Sequence, residues 1–162
     1  MSWKQEIEKA LRNSRRVVVF GLGNEWMGDD GVGSLIAKEL NAVSEGGGFR
    51  KEMKAIAGGG SPENFTGLIR KESPEWILII DAADMQRPPG EIALLSPQDM
   101  NCLVHSTHTI PISLLTEYLE STTGAKVAAL GIQPKTIEFG APLSKEVSSS
   151  IQEVVHVLRG AL

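Results

Sequence analysis

Cysteine, basic charge and long hydrophobic runs are all scarce in this sequence, and each shortage excludes a class of protein. Cys102 is the only cysteine among 162 residues, so neither an intrachain disulfide nor a cysteine-based metal cluster can form. The longest apolar runs, 17–20 and 76–80, are far too short to cross a bilayer, and residues 1–8 lack the apolar segment of a signal peptide. We therefore expect a cytoplasmic protein that does not insert into a membrane.

Basic residues are outnumbered by acidic ones. The chain has 16 Lys and Arg against 20 Asp and Glu, which gives a net charge of −4 and a pI near 5.4. Nucleic-acid binding depends on concentrated Lys and Arg that contact phosphates. The charge balance therefore predicts that nucleic acid is not a partner, while a hydrophobic content of 41% is sufficient for a folded core.

Aspartate is also rare, but it is clustered. Only five of the 20 acidic residues are aspartate, and four of these five are Asp29, Asp30, Asp81 and Asp84. Glycine is concentrated around the first pair, with 11 of the 17 glycines between positions 21 and 60. Glutamate spread along helices usually gives surface charge, whereas carboxylates grouped beside glycine-rich loops call for a chemical explanation.

Apolar periodicity predicts helices alternating with strands along the whole chain. Helical spacing predicts helices over 2–13, from about 31, after Ser61-Pro62, over 111–120 and after Ser144. Runs rich in β-branched residues predict strands over 16–20, 49–57, 76–80, 91–95 and 126–132. This alternation favours an α/β fold, a three-layer α/β/α sandwich with a mainly parallel sheet of about five strands, in a single domain over 1–162.

Polar or flexible residues follow three of the predicted strands. These loops are 21–30, 58–64 and 81–84, and a fourth segment, 104–108, is long enough to fold over the same edge. In open α/β sheets, ligands bind beyond the carboxyl ends of the strands. The functional site is therefore predicted at that edge.

The glycine loop after the first strand does not match a nucleotide-binding motif. A dinucleotide fingerprint opening at Gly21 and Gly23 requires a further glycine where this chain has Trp26, and no Gly-Lys-Ser/Thr occurs. Asp29 and Asp30 at the start of a helix would also occupy the position where a phosphate docks. We therefore predict that the protein binds no nucleotide.

A cation site fits the same residues better. Asp30, Asp81 and a histidine would supply two oxygens and one nitrogen, a set that suits nickel or zinc better than magnesium. Either His105 or His108 could be the nitrogen ligand. Each residue also has a structural explanation on its own. Asp30 could cap a helix, Asp81 could stabilise a turn, and the histidine could form a hydrogen bond within its own loop. Their expected convergence on one edge favours the metal site.

Four other residues are further candidates for this site. Asp84 and Glu25 could orient a ligand or a water from outside the metal's own contacts. Cys102 could act as a thiolate, although a cysteine followed by Leu103 and Val104 is more often a small buried hydrophobe. His156 is expected on the polar face of the last helix.

Five segments, taken in order, resemble the nickel-iron hydrogenase maturation endopeptidases. They read Gly-Leu-Gly-Asn from 21 with Asp-Asp-Gly from 29, Gly-Gly-Ser-Pro-Glu-Asn from 59, Ile-Asp-Ala-Ala-Asp-Met from 80, Ser-Thr-His from 106 and Leu-Gly-Ile-Gln-Pro from 130. The Asp-Asp-Gly form and the Gly-Ile-Gln-Pro segment look most similar to the branch that serves formate-hydrogenlyase and related membrane-bound hydrogenases. The resemblance implies the same three-layer α/β fold.

The resemblance also implies a reaction. The enzyme would be a nickel-dependent endopeptidase that removes the C-terminal extension of a hydrogenase large-subunit precursor after nickel has been inserted. Nickel would be presented by the precursor and would act as the recognition element, with other divalent metals able to occupy the same site. This would explain why the chain lacks the His-Glu-x-x-His helix of a self-sufficient zinc protease.

The family's site residues are expected at matching positions of this chain. Asp30, Asp81 and His108 would bind the metal, and Gly59, Gly60 and Thr107 would line the substrate cleft, so the resemblance selects His108 as the nitrogen ligand. Asp30 or Asp81 would activate a water as general base while the metal polarises the peptide carbonyl, or both aspartates would only sense nickel.

Two interpretations from other classes remain open on the sequence. A receiver-like phosphoacceptor module also groups aspartates after its first and third strands, but here the fifth strand ends in Gly131-Ile132-Gln133 without a lysine. A nickel-binding maturation chaperone would hold the metal yet leave the precursor uncut. Labelling with acetyl phosphate would identify the first, and an unchanged precursor mass would identify the second.

Overall fold

The computed structural model describes residues 1–103 and 111–162. Within these residues, five α-helices and five strands follow one another as α1 Trp3–Leu11, β1 Arg16–Leu22, α2 Val32–Glu45, β2 Glu52–Gly59, α3 Thr66–Glu72, β3 Trp76–Ala82, β4 Ile92–Leu95, α4 Ile112–Thr123, β5 Lys126–Ile132 and α5 Lys145–Ala161. Within these two segments every helix falls short of the length and apolarity that crossing a bilayer would need.

The strands form one sheet in the order β2-β1-β3-β5-β4. β2, β1, β3 and β5 are parallel, and β4 is antiparallel to β5 at the edge. The expectation of an α/β fold with a mainly parallel, five-stranded sheet is therefore confirmed. The direction of β4, which the sequence left open, is now known.

Alternating side chains of the sheet build two separate cores. Val17 and Val19 of β1 point to the layer that contains α1, α2 and α5, whereas Val18 and Phe20 point to the layer that contains α3 and α4. The strand period of two residues places neighbours on opposite faces. Both faces are covered by helices, which explains why the central strands are apolar almost throughout.

Several predicted boundaries move, and two of the shifts affect the site. β3 does not stop before Asp81, because Asp81 pairs with Gly131 of β5 and the strand continues to Ala82. β2 begins at Glu52 rather than 49 and runs on to Gly59, which pairs with Leu22. Glycine at the end of β2 thus belongs to the sheet rather than to a free loop.

The helix predicted after Ser61-Pro62 is also different. Residues Pro62–Phe65 form a 3-10 turn, and α3 begins only at Thr66. Ser61 occupies the N-cap position of this turn, with Pro62 in its first turn as predicted, but among the described residues its side chain accepts no capping hydrogen bond. Ser144 does cap α5 as predicted, because its Oγ accepts a hydrogen bond of 3.3 Å from the backbone N–H of Val147.

Candidate active site

The sheet has its topological switch point between β1 and β3. The chain leaves β1, crosses through α2 to β2 on one side, and then returns to β3 on the other side of β1. A crevice forms at the carboxyl ends of the two strands from which the crossovers diverge, and ligands of open α/β sheets bind there. Asp30 follows β1 and Asp81 lies near the end of β3. The structure thus brings these two aspartates to one crevice.

Glycines let α2 lie directly on the ends of β1 and β3. A Cβ atom added to Gly33 would lie 2.0 Å from the carbonyl oxygen of Ile80 and 2.4 Å from that of Leu22. A Cβ added to Gly21 would lie 1.9 Å from the carbonyl oxygen of Gly33. Only hydrogen fits at either position, so these glycines serve close backbone packing rather than phosphate binding.

Asp30 lies in the 3-10 turn Gly28–Gly31 that precedes α2. Asp30 is buried, with 7% of the residue exposed, and its Oδ2 accepts a 2.9 Å hydrogen bond from the backbone N–H of Asn24. Among the described residues no side chain caps α2, so the capping explanation for Asp30 is wrong. The carboxylate lies close enough to Asp81 for its charge to raise the pKa of Asp81.

Asp81 is fully buried at the end of β3. Burial raises the pKa of Asp81 well above its ordinary value of 3.8, and the nearby charge of Asp30 raises this pKa further. The backbone N–H of Ala82, 2.8 Å from Oδ1, acts in the opposite direction. Two carboxylates in this position are costly to ionise together. A bound cation or a shared proton would lower that cost.

Asp29 has a structural role that sequence reasoning missed. Its Oδ1 accepts a 2.8 Å hydrogen bond from the backbone N–H of Ser144, and its Oδ2 accepts 2.8 Å bonds from the Ser144 hydroxyl and the Lys135 N–H. The fully buried carboxylate therefore fastens the 3-10 turn to the segment between β5 and α5. No local pattern could reveal this, because the partners lie more than 100 positions away in the sequence.

Gln133 is a second residue that local reasoning missed. Its Oε1 accepts hydrogen bonds from the backbone N–H groups of Met85, at 2.7 Å, and Arg87, at 3.3 Å. Its Nε2 donates to Asp84 Oδ1 at 3.4 Å. Gln133 is only 8% exposed and holds the loop that follows Asp81. Its place in the Gly-Ile-Gln-Pro segment was the one signal that could have pointed to it.

Asp84 and Glu25 are found in contacts that stabilise loops. Asp84 Oδ1 accepts from the N–H of Gln86 as well as from Gln133. Glu25 forms an exposed ion pair with Lys38, with 2.6 Å between Oε2 and Nζ. The interpretation of Asp84 and Glu25 as partners that orient a ligand remains a prediction.

Gly59 lies at the end of β2 beside the same edge of the sheet. Its φ is +56°, a conformation that favours glycine, and no described atom lies within 4 Å of the position that a Cβ would take. Its N–H donates to Ser34 Oγ at 3.2 Å, and its carbonyl accepts from the Gly23 N–H at 3.0 Å. Gly59 thus leaves open space while its backbone polar groups are already bound. The neighbouring Gly60 is half-buried.

The remaining candidates divide by position. Thr107, His105 and His108 lie outside the described residues, as does any ligand set that includes one of the two histidines. Within 1–103 and 111–162, no three His, Cys, Asp or Glu side chains are grouped closely enough to hold a metal. Cys102 is half-buried, and its carbonyl accepts from the Asp84 N–H at 2.9 Å. His156 is exposed on α5, as expected for the polar face.

The fold and this edge define an open α/β protein with a buried carboxylate pair at its switch point, an arrangement suited to a cation or to a hydrolytic water. The family model described as hydrogenase maturation protease matches residues 36–160. The hydrogenase 3 maturation protease of Escherichia coli K12 is 35% identical over 144 residues, which are 88% of each chain. The protein therefore belongs to the hydrogenase maturation protease family and is a peptide hydrolase by class.

Other relatives agree with this assignment. A protein of Methanocaldococcus jannaschii, provisionally named a hydrogenase maturation protease, is 36% identical over 158 residues, covering 96% of this chain and 93% of its own. The solution structure of the endopeptidase HycI from Escherichia coli superposes with a TM-score of 0.77 at 35% identity, over 90% of both chains. At 23% identity, the nickel-iron hydrogenase maturation protease HycI from Thermococcus kodakarensis shares the fold, with a TM-score of 0.85 over 97% of this chain and 98% of its own.

Neither of the two alternative interpretations is supported. Receiver modules have the strand order 2-1-3-4-5, whereas here β5 lies between β3 and β4, and β4 is antiparallel. Asp29, which a phosphoacceptor site would need near its metal, is instead bound to Ser144. The chaperone interpretation finds no support either, since the matching family and the relatives above are named as proteases or endopeptidases.

Proposed function

We propose that this enzyme removes the C-terminal extension of a nickel-iron hydrogenase large-subunit precursor once the precursor contains nickel. The observation that carries the proposal is the carboxylate pair at the switch point, where burial and then the charge of Asp30 raise the pKa of Asp81. A divalent cation brought by the substrate would stabilise both carboxylates in their charged form. The enzyme would therefore recognise a precursor only after its metal is in place.

Nickel belongs to the substrate in this scheme. Asp30 and Asp81 would bind it with two carboxylate oxygens, and His108 would add a nitrogen ligand. Such a set fits a first-row divalent metal better than magnesium. When bound, the metal would polarise the scissile carbonyl, which is its ordinary role in hydrolysis.

The same aspartates would supply the base. Either Asp30 or Asp81, the two carboxylates at the switch point, would take up the proton of an attacking water as general base. The proton would then pass to the amine of the departing peptide. In the second version of the mechanism Asp30 and Asp81 only sense nickel, and a solvent water attacks without them.

The cleft residues would make room for the peptide. Since the N–H and the carbonyl of Gly59 are bound to Ser34 and Gly23, Gly59 would contribute open space rather than hydrogen bonds. Gly60 and Thr107 would border the same path. We assign the reaction to the cytoplasm, and we expect no nucleotide or nucleic acid to take part.

The reaction is tested by mixing the protein with nickel-loaded and nickel-free forms of a large-subunit precursor and measuring the masses of the products. We expect cleavage of the nickel-loaded form alone. If neither form is cut, the proposed reaction is wrong. If both forms are cut at the same rate, the requirement for nickel is wrong.

The site residues are tested in the same assay. Asp30→Asn, Asp81→Asn and His108→Ala should abolish processing while the proteins remain folded. Asp99→Asn and His156→Ala are matched controls, because both residues are exposed and lie outside the proposed site. Processing at the normal rate by any of the first three variants would contradict its assignment.

A further inference from the structure

Three large apolar side chains are exposed in two loops beside the candidate site. Trp26 is 73% exposed, Phe139 is 80% exposed and Ile137 is 37% exposed. Trp26 belongs to the loop between β1 and α2, while Ile137 and Phe139 belong to the loop between β5 and α5. We call these three residues the apolar rim. Exposed apolar residues gathered in one place often mark an interaction surface.

The two loops of the apolar rim are fastened to each other. The N–H of Gly140 donates to the carbonyl of Trp26 at 2.8 Å, and the N–H of Asp29 donates to the carbonyl of Thr136 at 2.9 Å. The Asp29 carboxylate adds its hydrogen bonds to Ser144. A partner that docks here would therefore meet loops that are already ordered, which lowers the entropic cost of binding.

The apolar rim is connected to Asp30 through Asn24. The N–H of Trp26 donates to Asn24 Oδ1 at 2.9 Å, and the N–H of Asn24 donates to Asp30 Oδ2 at 2.9 Å. Trp26 is thus two hydrogen bonds away from Asp30. On the other side, Ile137 borders a surface depression together with Asp84, which follows Asp81 by three positions. The apolar rim therefore adjoins the end of β1 and the loop after β3.

Two ion pairs flank the apolar rim, whereas the exposed Glu138, between Ile137 and Phe139, forms no ion pair among the described residues. Glu25, next to Trp26, forms its ion pair with Lys38, and Lys135 forms an ion pair of 3.0 Å with Glu146. These pairs reduce the net field that the flanking side chains present to an approaching molecule. The attraction that the surface offers is therefore mainly the burial of Trp26, Ile137 and Phe139.

We propose that the apolar rim is the docking surface for the folded body of the hydrogenase large-subunit precursor. This inference rests on the proposed function, because it takes the substrate of the Asp30–Asp81 site to be a protein. Because the rim adjoins Asp30 through Asn24 and adjoins the loop after β3 at Asp84, a protein that inserts a segment at the pair would bring its folded body against the rim. Exposed tryptophan and other aromatic side chains are the ones that most often carry the affinity of such contacts.

The test is a double variant, Trp26→Ser with Phe139→Ser, compared with Leu68→Ser with Leu114→Ser. Leu68 on α3 and Leu114 on α4 are 40% and 54% exposed and lie outside the rim, so this control removes similar apolar surface elsewhere. We expect the rim variant to raise KM for the nickel-loaded precursor about 10-fold to 100-fold, with kcat unchanged. The control should keep the KM of the wild-type enzyme. Thermal unfolding should be nearly unchanged in both, since all four side chains are exposed.

Direct binding separates failure of this proposal from failure of the proposed function. The affinity of each protein for the precursor is measured by calorimetry at low and high salt, where we expect a loss in the rim variant and little dependence on salt. If the wild-type enzyme binds through the apolar rim but cuts nothing, the proposed reaction is wrong and the docking surface stands. If the rim variant cuts and binds like the wild type, or if the control variant shows the loss instead, the docking surface is wrong.

Discussion

Both carboxylate oxygens of Asp29 accept hydrogen bonds from Ser144. The backbone N–H of Ser144 donates to Asp29 Oδ1 and its hydroxyl donates to Oδ2, each at 2.8 Å. The same hydroxyl accepts from the N–H of Val147 and so caps α5. Asp29 therefore links the turn that carries Asp30 to the start of the last helix. Two adjacent aspartates thus have different tasks, one in structure and one in the candidate site.

Asp29→Asn should destabilise the protein. An amide can accept with its oxygen alone, so at least one of the N–H or O–H donors now bound to the carboxylate would lose its partner or face another donor. We expect a loss of about 2 kcal/mol or more in the free energy of unfolding, measured by urea denaturation. Asp99→Asn, on an exposed residue, serves as the control. Equal midpoints for Asp29→Asn and the wild type would contradict the structural role.

Gly33 and Gly160 offer a matched pair for the packing at the site. Gly33→Ala would force a methyl group to within 2.0 Å of the Ile80 carbonyl oxygen, whereas no described atom lies within 4 Å of the position of a Cβ on Gly160. We expect Gly33→Ala to cost about 3 kcal/mol or more and to impair processing. Gly160→Ala, inside α5, should gain up to about 1 kcal/mol. The two are compared by thermal unfolding, and a Gly33→Ala protein as stable as the wild type would show that the contact is not close.

The sequence is sufficient to predict the fold because its signals are local. The strand predicted at 126–132 is observed as β5 at Lys126–Ile132, since a run of apolar and small residues bounded by Gly124 and Pro134 leaves little freedom. The strand predicted at 76–80 is too short. The prediction ended it before Asp81 because a charged side chain rarely lies inside a buried strand. Only the neighbouring β5 shows that Asp81 still belongs to the ladder.

The candidate site can be predicted only in part, for a physical reason. Asp30 and Asp81 can be placed at one edge because parallel strands share that edge. The contacts of Asp29 and Gln133 join segments roughly fifty to over one hundred positions apart, which no periodicity encodes. In the sequence, Trp26 is notable only because it stands where a dinucleotide-binding motif would have a glycine. The structure shows that its side chain is exposed and that its carbonyl is bound by the loop between β5 and α5.

Gln133→Ala should loosen the loop after β3. The N–H groups of Met85 and Arg87 would lose their common acceptor, and a backbone donor left without a partner costs about 1–3 kcal/mol when it is buried. Both N–H groups belong to a loop that is partly exposed, so we expect the lower half of this range and a reduced processing rate. Gln152→Ala on the exposed face of α5 is the matched control. Hydrogen exchange at Met85 measures the effect directly, and exchange as slow as in the wild type would contradict it.

Asp81→Asn should abolish processing and at the same time make the stability of the protein less dependent on pH. Because burial and the charge of Asp30 raise the pKa of Asp81 in the folded state, the folded protein keeps a proton that the unfolded chain has already released once the pH exceeds about 3.8. The stability of the wild type should therefore fall as the pH rises from that value until the raised pKa of Asp81 has been passed. Asparagine does not titrate, so the variant lacks this loss.

The pH dependence is measured by thermal unfolding of both proteins from pH 4 to pH 8 in the presence of a chelator. The melting temperature of Asp81→Asn, relative to that of the wild type, should increase as the pH rises. The melting temperature of Asp99→Asn should stay the same as that of the wild type throughout. A constant difference between Asp81→Asn and the wild type across the whole range would mean that Asp81 titrates alike in the folded and unfolded states. In that case the two carboxylates would not repel each other when both are charged. A reduction of that repulsion could then not be the reason why a cation binds to Asp30 and Asp81.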